Sequence, residues 1–526
     1  MRILYKIANK LFRIVKKILK LLTSRMVIIG VALLLEFCWL AGIVMQLNEK
    51  SVYINYAVTI LSLIAVLSII NNPKMNPGYK LMWAVCILAL PVTGICLYGI
   101  LGHSSVARKF RTHYDTVLLS QRGVLGEEEE TRKKLEEENI LAAGQSSYLT
   151  NYAHYPVYEN TETEYYPLGD VWFEHFIEEL KKAEHYIFME YFIISEGYLW
   201  DTVLEILKEK AAAGVDVRLI YDDFGCVTTL PYQYYKSLQQ MGIKCAAFNQ
   251  FRPVLNVILN NRDHRKIAVI DGHTAFTGGI NLADEYINRK ERFGHWKDSG
   301  ICLHGEAVWS FTVMFLQMWS TITGMECDFE SYRPEIYHKE AFKKDGFVQP
   351  YGDSPLDGET VGEHVYLNII SQAKKYLYIF TPYLIPDNET LTALCMAAKR
   401  GVDVRIVTPG IPDKKIVYIL TQANYEILLE SGVQIYQYTP GFIHSKSFVC
   451  DDEVATVGTI NMDYRSMYLH FECGVWMYGS SAVAQVKEDA LTTFEQCEQI
   501  NMDYCRKKKF AVRALRGALK FLAPLL

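Results

Sequence analysis

The sequence lacks any cysteine arrangement that would bind a metal ion or build a disulfide framework. Its 12 cysteines are scattered over 526 residues. No pair of them shows the CxxC or CxxH spacing that zinc sites use, and Cys38, Cys86 and Cys96 lie in apolar runs. We therefore expect small buried thiols, and we expect neither a metal ion nor an organic cofactor in the chemistry of this protein.

A net basic charge is missing from the long middle of the chain. Residues 1–25 contain eight basic residues and no acidic one, and residues 506–526 contain seven basic residues. Subtracting these fifteen charges from the formal net charge of −5 leaves −20 for residues 26–505. Proteins that bind nucleic acid gain most of their affinity from basic groups that neutralise phosphates. The acidic middle therefore argues against nucleic acid as a partner.

The start of the chain also lacks the form of a cleavable signal peptide, which has one short apolar stretch before small residues. It has instead three apolar runs of about the length that crosses a bilayer. These runs are 26–47, 52–70 and 81–101. We predict that residues 26–102 form an anchor region of transmembrane helices that stays attached to the protein.

The two basic ends are interleaved with apolar residues, a pattern typical of amphipathic helices on an anionic lipid surface. We predict this arrangement for 1–25 and for 506–526. Three crossings would place the basic amino terminus and the basic cluster at 108–111 on opposite sides of the bilayer, although both favour the cytoplasmic side. The first apolar run, which Glu36 interrupts, is therefore the candidate for an interfacial segment.

A polar juxtamembrane linker at 103–147 precedes a region in which short apolar runs alternate with amphipathic segments. This alternation is typical of βαβ units and predicts a mainly parallel sheet. The region contains an internal repeat, since Gly-Val-Asp-Val-Arg at 214–218 recurs at 401–405. We predict an α/β fold with two tandem lobes, 148–345 and 346–505, packed as a pseudo-dimer.

Each predicted lobe contains one copy of the motif HxKxxxxD. The copies are His264, Lys266 and Asp271, and His444, Lys446 and Asp451. A glycine follows each Asp by seven residues and an asparagine by ten, which gives Gly278 and Asn281, and Gly458 and Asn461. One such motif arises by chance in roughly three chains per hundred, but two copies with the same following residues are far beyond coincidence.

The residue types of this motif suit phosphoryl transfer. Histidine and lysine two positions apart on a strand point to the same side, so that both can reach one phosphate. Lysine charges and the amides of Asn281 and Asn461 could hold the non-bridging oxygens without a metal ion, and the glycines would let the backbone approach the ligand. Asp271 and Asp451 are expected at strand ends, where a carboxylate accepts backbone N–H groups.

Two histidines can divide the remaining chemistry. One attacks phosphorus and forms a phosphohistidine, while the other protonates the leaving alcohol and then deprotonates the incoming one. Each imidazole also needs a partner on its second nitrogen to fix its orientation. The candidates are Asp298 and Glu472, which follow their histidines by 34 and 28 residues.

These motifs resemble those of the phospholipase D superfamily and, more closely, those of bacterial cardiolipin synthases. The resemblance rests on segments such as Asn261-Arg-Asp-His-Arg-Lys266, Phe276-Thr-Gly-Gly-Ile-Asn281 and Gly458-Thr-Ile-Asn-Met-Asp-Tyr-Arg-Ser466. It implies two phospholipase D-like lobes in a multi-pass protein of the bacterial cell membrane. It also implies that phosphatidylglycerol loses glycerol to give a phosphatidyl-histidine, from which a second phosphatidylglycerol takes the phosphatidyl group to form cardiolipin.

Carried over by motif position, the resemblance makes His264 the nucleophile and His444 the acid/base group, although the two roles could be exchanged. By the same analogy Glu472 would orient His264 and Asp298 would orient His444, each across the interface between the lobes.

The sequence departs from the family pattern at two positions beside these carboxylates. His470 replaces the usual asparagine, and Gly300 replaces a common histidine. The acceptor also stays open, because water would make the protein a phospholipase D hydrolase and another alcohol a different phosphatidyltransferase. A membrane-tethered nuclease and a non-catalytic lipid-binding scaffold are the more distant alternatives. The apolar segment 251–259 is a candidate membrane-dipping loop.

Overall fold

The computed structural model describes residues 30–31, 33–38, 50–73, 75–102, 107–120, 123–126, 129–250, 261–507 and 510–525. The described residues form two compact units, one of which ends at Lys109 while the other begins at Phe110. The predicted membrane-dipping loop at 251–259 lies outside the described residues.

The first unit is helical. Its main elements are α1 (Lys50–Ile70), α2 (Pro77–Ala89), α3 (Pro91–Leu97) and a π-helical turn (Tyr98–Gly102). Asn76 caps α2 by accepting a hydrogen bond from the N–H of Gly78 at 2.8 Å. Glu36, which interrupts the first apolar run, is buried and accepts the N–H of Thr93 at 2.7 Å. The carboxylate therefore satisfies a donor in the first turn of α3 that has no partner inside the helix.

Membrane-spanning helices were expected in this unit. Within the described ranges, none of the helices combines the length and the apolar character that a bilayer crossing needs. The predicted run at 26–47 lies largely outside the described residues, and the run at 81–101 is divided between α2 and α3. Pro91 marks the division because proline has no N–H to continue a helix. The multi-pass anchor remains a prediction.

The second unit starts with helices and continues into a first lobe. Three helices precede this lobe: α4 (Ala107–Ser120), α5 (Glu129–Glu138) and α6 (Ile140–Tyr148). The lobe consists of β1 (Thr161–Tyr166), α7 (Gly169–Lys182), β2 (Tyr186–Tyr191), α8 (Tyr198–Ala212), β3 (Asp216–Asp222), α9 (Tyr234–Gln240), β4 (Lys244–Phe248), β5 (Lys266–Ile270), β6 (Thr274–Gly278), β7 (His295–Lys297), β8 (Gly300–Gly305), α10 (Val308–Thr323) and α11 (Pro334–Tyr337).

The second lobe repeats this order of elements. It consists of β9 (Phe347–Asp353), α12 (Val361–Gln372), β10 (Tyr376–Phe380), α13 (Asn388–Lys399), β11 (Asp403–Pro409), α14 (Lys415–Ala423), α15 (Tyr425–Glu430), β12 (Gln434–Tyr438), β13 (Gly441–Ile443), β14 (Ser447–Cys450), β15 (Val454–Gly458), α16 (Tyr464–Tyr468), β16 (Glu472–Tyr478), α17 (Ser481–Glu495), β17 (Cys497–Ile500), α18 (Met502–Arg506) and α19 (Phe510–Leu522).

Each lobe contains one mixed sheet. The strand order is β1-β8-β6-β5-β2-β3-β4 in the first lobe and β17-β12-β11-β10-β14-β15-β16-β9 in the second. The pairs β2–β3 and β3–β4 are parallel, whereas β5 pairs antiparallel with both β2 and β6. The prediction of mainly parallel sheets was wrong, because tight turns of a few residues connect β5 to β6 and β14 to β15, and a connection that short can join only antiparallel strands.

The helix α10 is buried along almost its whole length, from Val308 to Thr321. It is buried on every side because it packs against strands of the first sheet and also against β9 of the second lobe. It therefore ties the two lobes together through a shared core.

Candidate active site

The two HxK segments lie at the interface between the lobes, each paired with a strand of the other lobe. The N–H of His264 donates to the carbonyl of Phe471 at 2.9 Å, and the N–H of His444 donates to the carbonyl of Lys297 at 2.7 Å. In each case the next residue of the other lobe is one of the predicted carboxylates. The backbone pairing therefore carries each histidine to a carboxylate from the opposite lobe.

The side chains meet accordingly. Nδ1 of His264 lies 3.0 Å from Oε2 of Glu472, and Nδ1 of His444 lies 2.6 Å from Oδ2 of Asp298. Both carboxylates are completely buried. A carboxylate on Nδ1 fixes the ring orientation and leaves Nε2 as the nitrogen available for chemistry.

Both motif lysines are buried and curl back onto their own histidines. Nζ of Lys266 donates to the carbonyl of His264 at 2.6 Å. Nζ of Lys446 donates to the carbonyl of His444 and lies 2.8 Å from its Nδ1. The two ammonium groups are thus held next to the two imidazoles.

Burial and the neighbouring positive charges disfavour the protonated forms of the two imidazoles. Burial is the main cause that lowers the pKa of His264 well below its usual value, and the charges of Lys266, Lys446 and His444 act in the same direction. Burial and then Lys446 lower the pKa of His444 to about 4, against the opposing effect of Asp298. Since the charges of both lobes act on each other's histidines, the two motifs form one site.

The lysines show the same effect. Burial lowers the pKa of Lys266 to about 8 and that of Lys446 to about 7, and the charge of Lys266 also acts on Lys446. A bound anion would remove the electrostatic cost of these charges and raise all four pKa values. The charges of this site therefore favour an anion over a cation as its ligand.

The two carboxylates differ in charge. Burial raises the pKa of Glu472 to about 8, and the attraction of Lys266 only partly opposes it. Burial acts on Asp298 in the same direction, but His444 and Lys446 outweigh it and hold the pKa of Asp298 below its usual value. Near neutral pH the carboxyl beside His264 therefore carries a proton, whereas the one beside His444 is ionised.

The aspartates that end the two motifs face away from the histidines and bind backbone. Asp271 accepts the N–H groups of Glu184, His185 and Tyr186 at 2.7 to 2.8 Å. Asp451 makes the same three contacts in the second lobe. Its donors are the N–H groups of Lys374, Lys375 and Tyr376, at 2.7 to 2.8 Å. Both aspartates have positive φ angles, 48° and 56°, in the turns that follow their strands. Each carboxylate therefore fixes the start of a central strand.

The glycine that follows each motif has a different role from the one expected. A Cβ on Gly278 would lie 2.4 Å from the carbonyl oxygen of Ser299, and one on Gly458 would lie 2.5 Å from that of Cys473. The glycines thus let the adjacent strand approach closely, which corrects the expectation that they make room for a ligand.

The asparagines organise the loops beside the site. The amide of Asn281 accepts from the N–H of Ile193 at 2.9 Å and donates to the hydroxyl of Tyr286 at 2.8 Å. The amide of Asn461 donates to Ser466 at 3.1 Å. Each amide nitrogen carries a second hydrogen, which could donate to a ligand oxygen.

Sequence reasoning missed two residues beside His264. The ring of Phe192 packs edge-on against this imidazole at a centroid distance of 4.8 Å. Arg262 precedes the motif by two residues and is 4% exposed. The alternation of side chains along a strand places Arg262 on the same face as His264, and that signal was available in the sequence.

Across the described ranges, one group of three carboxylates is close enough together to share a metal ion. Its members are Glu363, Asp387 and Glu389, and none of them is a motif residue.

Comparison with known proteins shows that one family model matches both lobes. The family model described as cardiolipin synthase, PLD-like domain, matches residues 176–319 and 366–493. A second model, described as phospholipase D-nuclease N-terminal, matches residues 60–103. The two matches of the first model fall on the two copies of the internal repeat.

Some relatives match over most of the chain, and one of them is named as a cardiolipin synthase. The chain is 34% identical over 473 residues to a cardiolipin synthase from Alkalihalophilus pseudofirmus, covering 89% of this chain and 92% of that one. It is 43% identical over 475 residues to an uncharacterized protein of Streptococcus mutans, covering 88% and 99%. The fold resembles the crystal structure of a phosphatidylserine synthase from Haemophilus influenzae, with a TM-score of 0.55, 16% identity, and coverage of 74% of this chain and 100% of that one.

The fold and the paired HxKxxxxD motifs define a protein with two phospholipase D-like lobes, which confirms the predicted α/β architecture. The chain belongs to the cardiolipin synthase family of the phospholipase D superfamily.

Proposed function

We propose that this protein is a cardiolipin synthase that transfers a phosphatidyl group from one phosphatidylglycerol to another and releases glycerol. The observation that supports this proposal most directly is that His264, Lys266, His444 and Lys446 are buried in one site, where the charges of Lys266 and Lys446 lower the pKa values of both histidines. Such a site gains stability by binding an anionic phosphodiester. The curated relatives named cardiolipin synthase support the choice of substrate.

The reaction proceeds in two displacements at phosphorus. In the first, Nε2 of one histidine forms a P–N bond while the P–O bond to glycerol breaks, and the other histidine gives its proton to the leaving oxygen. In the second, the same histidine takes the proton from the incoming hydroxyl, the new P–O bond forms, and the P–N bond breaks. Lys266 and Lys446 balance the charge of the non-bridging oxygens in both steps.

The charge states of the two carboxylates support His264 as the nucleophile. Its partner Glu472 carries a proton near neutral pH, and the neighbouring charges oppose protonation of His264, so its imidazole stays neutral and can attack. The ionised Asp298 opposes the lowering of the pKa of His444, and a bound anionic phosphodiester would raise this pKa further, so that His444 can carry the proton of the acid when substrate is bound. The exchanged assignment is the alternative, and trapping the phosphatidyl-enzyme in His264→Ala and His444→Ala variants separates the two.

We also infer that the first unit attaches the enzyme to the cell membrane. Helix α1 exposes apolar side chains such as Ile60, Ile64 and Leu67, each more than half accessible. Apolar faces of this size are stable against lipid and costly in water. The basic segments at the two ends of the chain would add attraction to anionic lipids.

The deciding experiment supplies purified protein in detergent with phosphatidylglycerol as its sole lipid. Cardiolipin and glycerol in equal amounts are the expected products. Phosphatidic acid in place of cardiolipin would show that water is the acceptor and would refute the synthase proposal.

A further inference from the structure

The pseudo-symmetry of the active site breaks at the residues that flank the two histidines. In the second half-site, Phe442 of β13 pairs directly with Trp296 of β7. Their rings lie 4.8 Å apart, and both lie within 6 Å of the ring of His444. The flank of His444 is therefore aromatic.

The equivalent positions around His264 are occupied by Arg262 and His470. Asp263 and Phe471 form a parallel bridge, so Arg262 and His470 are neighbours one position earlier on both segments. The N–H of Phe471 donates to the carbonyl of Arg262 at 2.8 Å, which fixes this register. Side chains alternate in direction along a strand, so this pair shares its face with His264, and the rings of His264 and His470 lie 6.0 Å apart.

Both flanking side chains are buried and have polar atoms without a partner. Arg262 is 4% exposed and His470 is 9% exposed. Nη1 of Arg262 and Nδ1 of His470 have no hydrogen-bond partner among the described residues. A buried donor or charge in this state is costly unless a ligand satisfies it.

No carboxylate within the described ranges forms an ion pair with Arg262. Asp222 is the acidic group that acts on its charge, but the oxygens of Asp222 accept the N–H groups of Gly225 and Asp263 at 2.8 and 3.1 Å. The guanidinium instead stacks on the ring of Phe224 at 3.9 Å, which holds it in place without neutralising it. Arg465 adds a further positive charge that acts on both Arg262 and His470.

We propose that Arg262 and His470 form a second anion subsite that holds the phosphodiester of the acceptor phosphatidylglycerol. This inference rests on the proposed function. The product of that reaction carries two phosphates joined through a three-carbon glycerol bridge, so the second phosphate must lie beside the reacting one. A guanidinium is suited to bind it, because its planar donors match two phosphate oxygens at once.

The subsite gives the enzyme a means of choosing its acceptor. Water and glycerol have no anionic group, so Arg262 adds nothing to their binding. An acceptor that bears a phosphate gains a charge-assisted contact and is held with its free hydroxyl near phosphorus. The flexible bridge permits this arrangement whichever histidine carries the phosphatidyl group.

Two reactions of the same enzyme separate the subsite from the catalytic groups. Exchange of labelled glycerol into phosphatidylglycerol needs the donor, both histidines and a neutral acceptor, whereas cardiolipin synthesis also needs the acceptor phosphate. In Arg262→Met we expect cardiolipin synthesis to fall about tenfold or more, since a contact to a charged group is lost. Glycerol exchange should stay within about twofold of the wild type, which also shows that the variant is folded. His470→Ala should show the same pattern as Arg262→Met, with glycerol exchange nearly unchanged and a smaller loss of cardiolipin synthesis.

A soluble acceptor tests recognition of the phosphate apart from the acyl chains. The wild type should prefer glycerol 3-phosphate to glycerol as acceptor, and Arg262→Met should lose this preference. Arg289→Gln is the matched control, because Arg289 is exposed and its guanidinium stacks on the ring of Tyr198, which is not a motif residue. A parallel fall of exchange and synthesis in Arg262→Met, or no change in either, would overturn the subsite. Absence of cardiolipin with the wild type would instead overturn the proposed function.

Discussion

Replacing Asp298 with asparagine tests the ionised carboxylate beside His444. In the wild type, Oδ2 of Asp298 lies 2.6 Å from Nδ1 of His444, while Oδ1 accepts the N–H of Ser299 at 2.9 Å. Asparagine keeps the size of the side chain and can keep the contact to Ser299. Its amide nitrogen then faces the imidazole and donates to Nδ1, which moves the ring proton to Nε2, the atom that must react.

The expected loss follows from these contacts. A hydrogen bond to a charged group contributes about 1.5 to 3 kcal/mol, so losing it lowers the rate about 10- to 150-fold. The wrong tautomer adds to this loss, and the corresponding change in a serine protease triad costs about 10⁴-fold. We expect kcat for Asp298→Asn to fall between about 10² and 10⁴-fold, measured as cardiolipin formed from phosphatidylglycerol in mixed micelles.

The matched variant is Glu472→Gln at the equivalent position of the other half-site. The raised pKa of about 8 leaves Glu472 protonated near neutral pH, so glutamine replaces one neutral group with another. We expect a loss below about tenfold at neutral pH, because no charged hydrogen bond is removed. The loss should grow as the pH rises through the pKa of Glu472, where the wild-type carboxyl becomes ionised. Equal losses in both variants at neutral pH would refute the assignment of charge.

Four further predictions concern the same site. His264→Ala and His444→Ala should each lower turnover by at least about 10³-fold with an unchanged circular dichroism spectrum, and full activity in either would contradict the two-histidine mechanism. Asp271→Ala should lower the free energy of unfolding by about 3 kcal/mol, because three N–H groups lose their acceptor and that of Tyr186 is buried, and an unchanged denaturation midpoint would contradict that role. Glycerophosphoglycerol should inhibit more weakly as the pH rises, since Lys446 loses its proton above a pKa of about 7; a flat pH profile of its inhibition constant would count against this. Turnover should stay within about twofold after treatment with EDTA, and a loss of turnover would show that the reaction depends on a metal ion.

The two lobes and their shared site could be predicted from sequence because the information is local and repeated. Each motif occupies eight consecutive residues, and its copy recurs in the same order of elements. Glu472 and Asp298 are candidates from the sequence itself, whereas their pairing with the histidine of the other lobe follows from the family resemblance. In the structure these side chains contact His264 and His444.

The direction of the strands was not predictable from the same pattern. Short apolar runs in β5 and β6 fit parallel and antiparallel pairing equally well, and only the short connection from Asp271 to His273 decides between them. The roles of Gly278 and Gly458 were misassigned for a similar reason, because the strand that approaches each glycine is distant in sequence.

The flanks of the site could not be found from one motif alone. Arg262 and His470 are 208 residues apart, and a single bridge between the lobes makes them neighbours. The difference between the two half-sites is visible only when this pair is compared with Phe442 and Trp296, which occupy the equivalent positions around the other histidine. Such a comparison needs the register of both pairings, which sequence spacing does not supply.

Each working half of this enzyme takes its histidine from one lobe and its carboxylate from the other. Partial unfolding of either lobe therefore disables both halves together. A damaged molecule then stops reacting, and it does not form a phosphatidyl-enzyme that water would hydrolyse. The same arrangement suits an origin in two identical subunits that later became joined in one polypeptide. Once joined, the surroundings of the two imidazoles could diverge separately, which an assembly of identical copies does not permit.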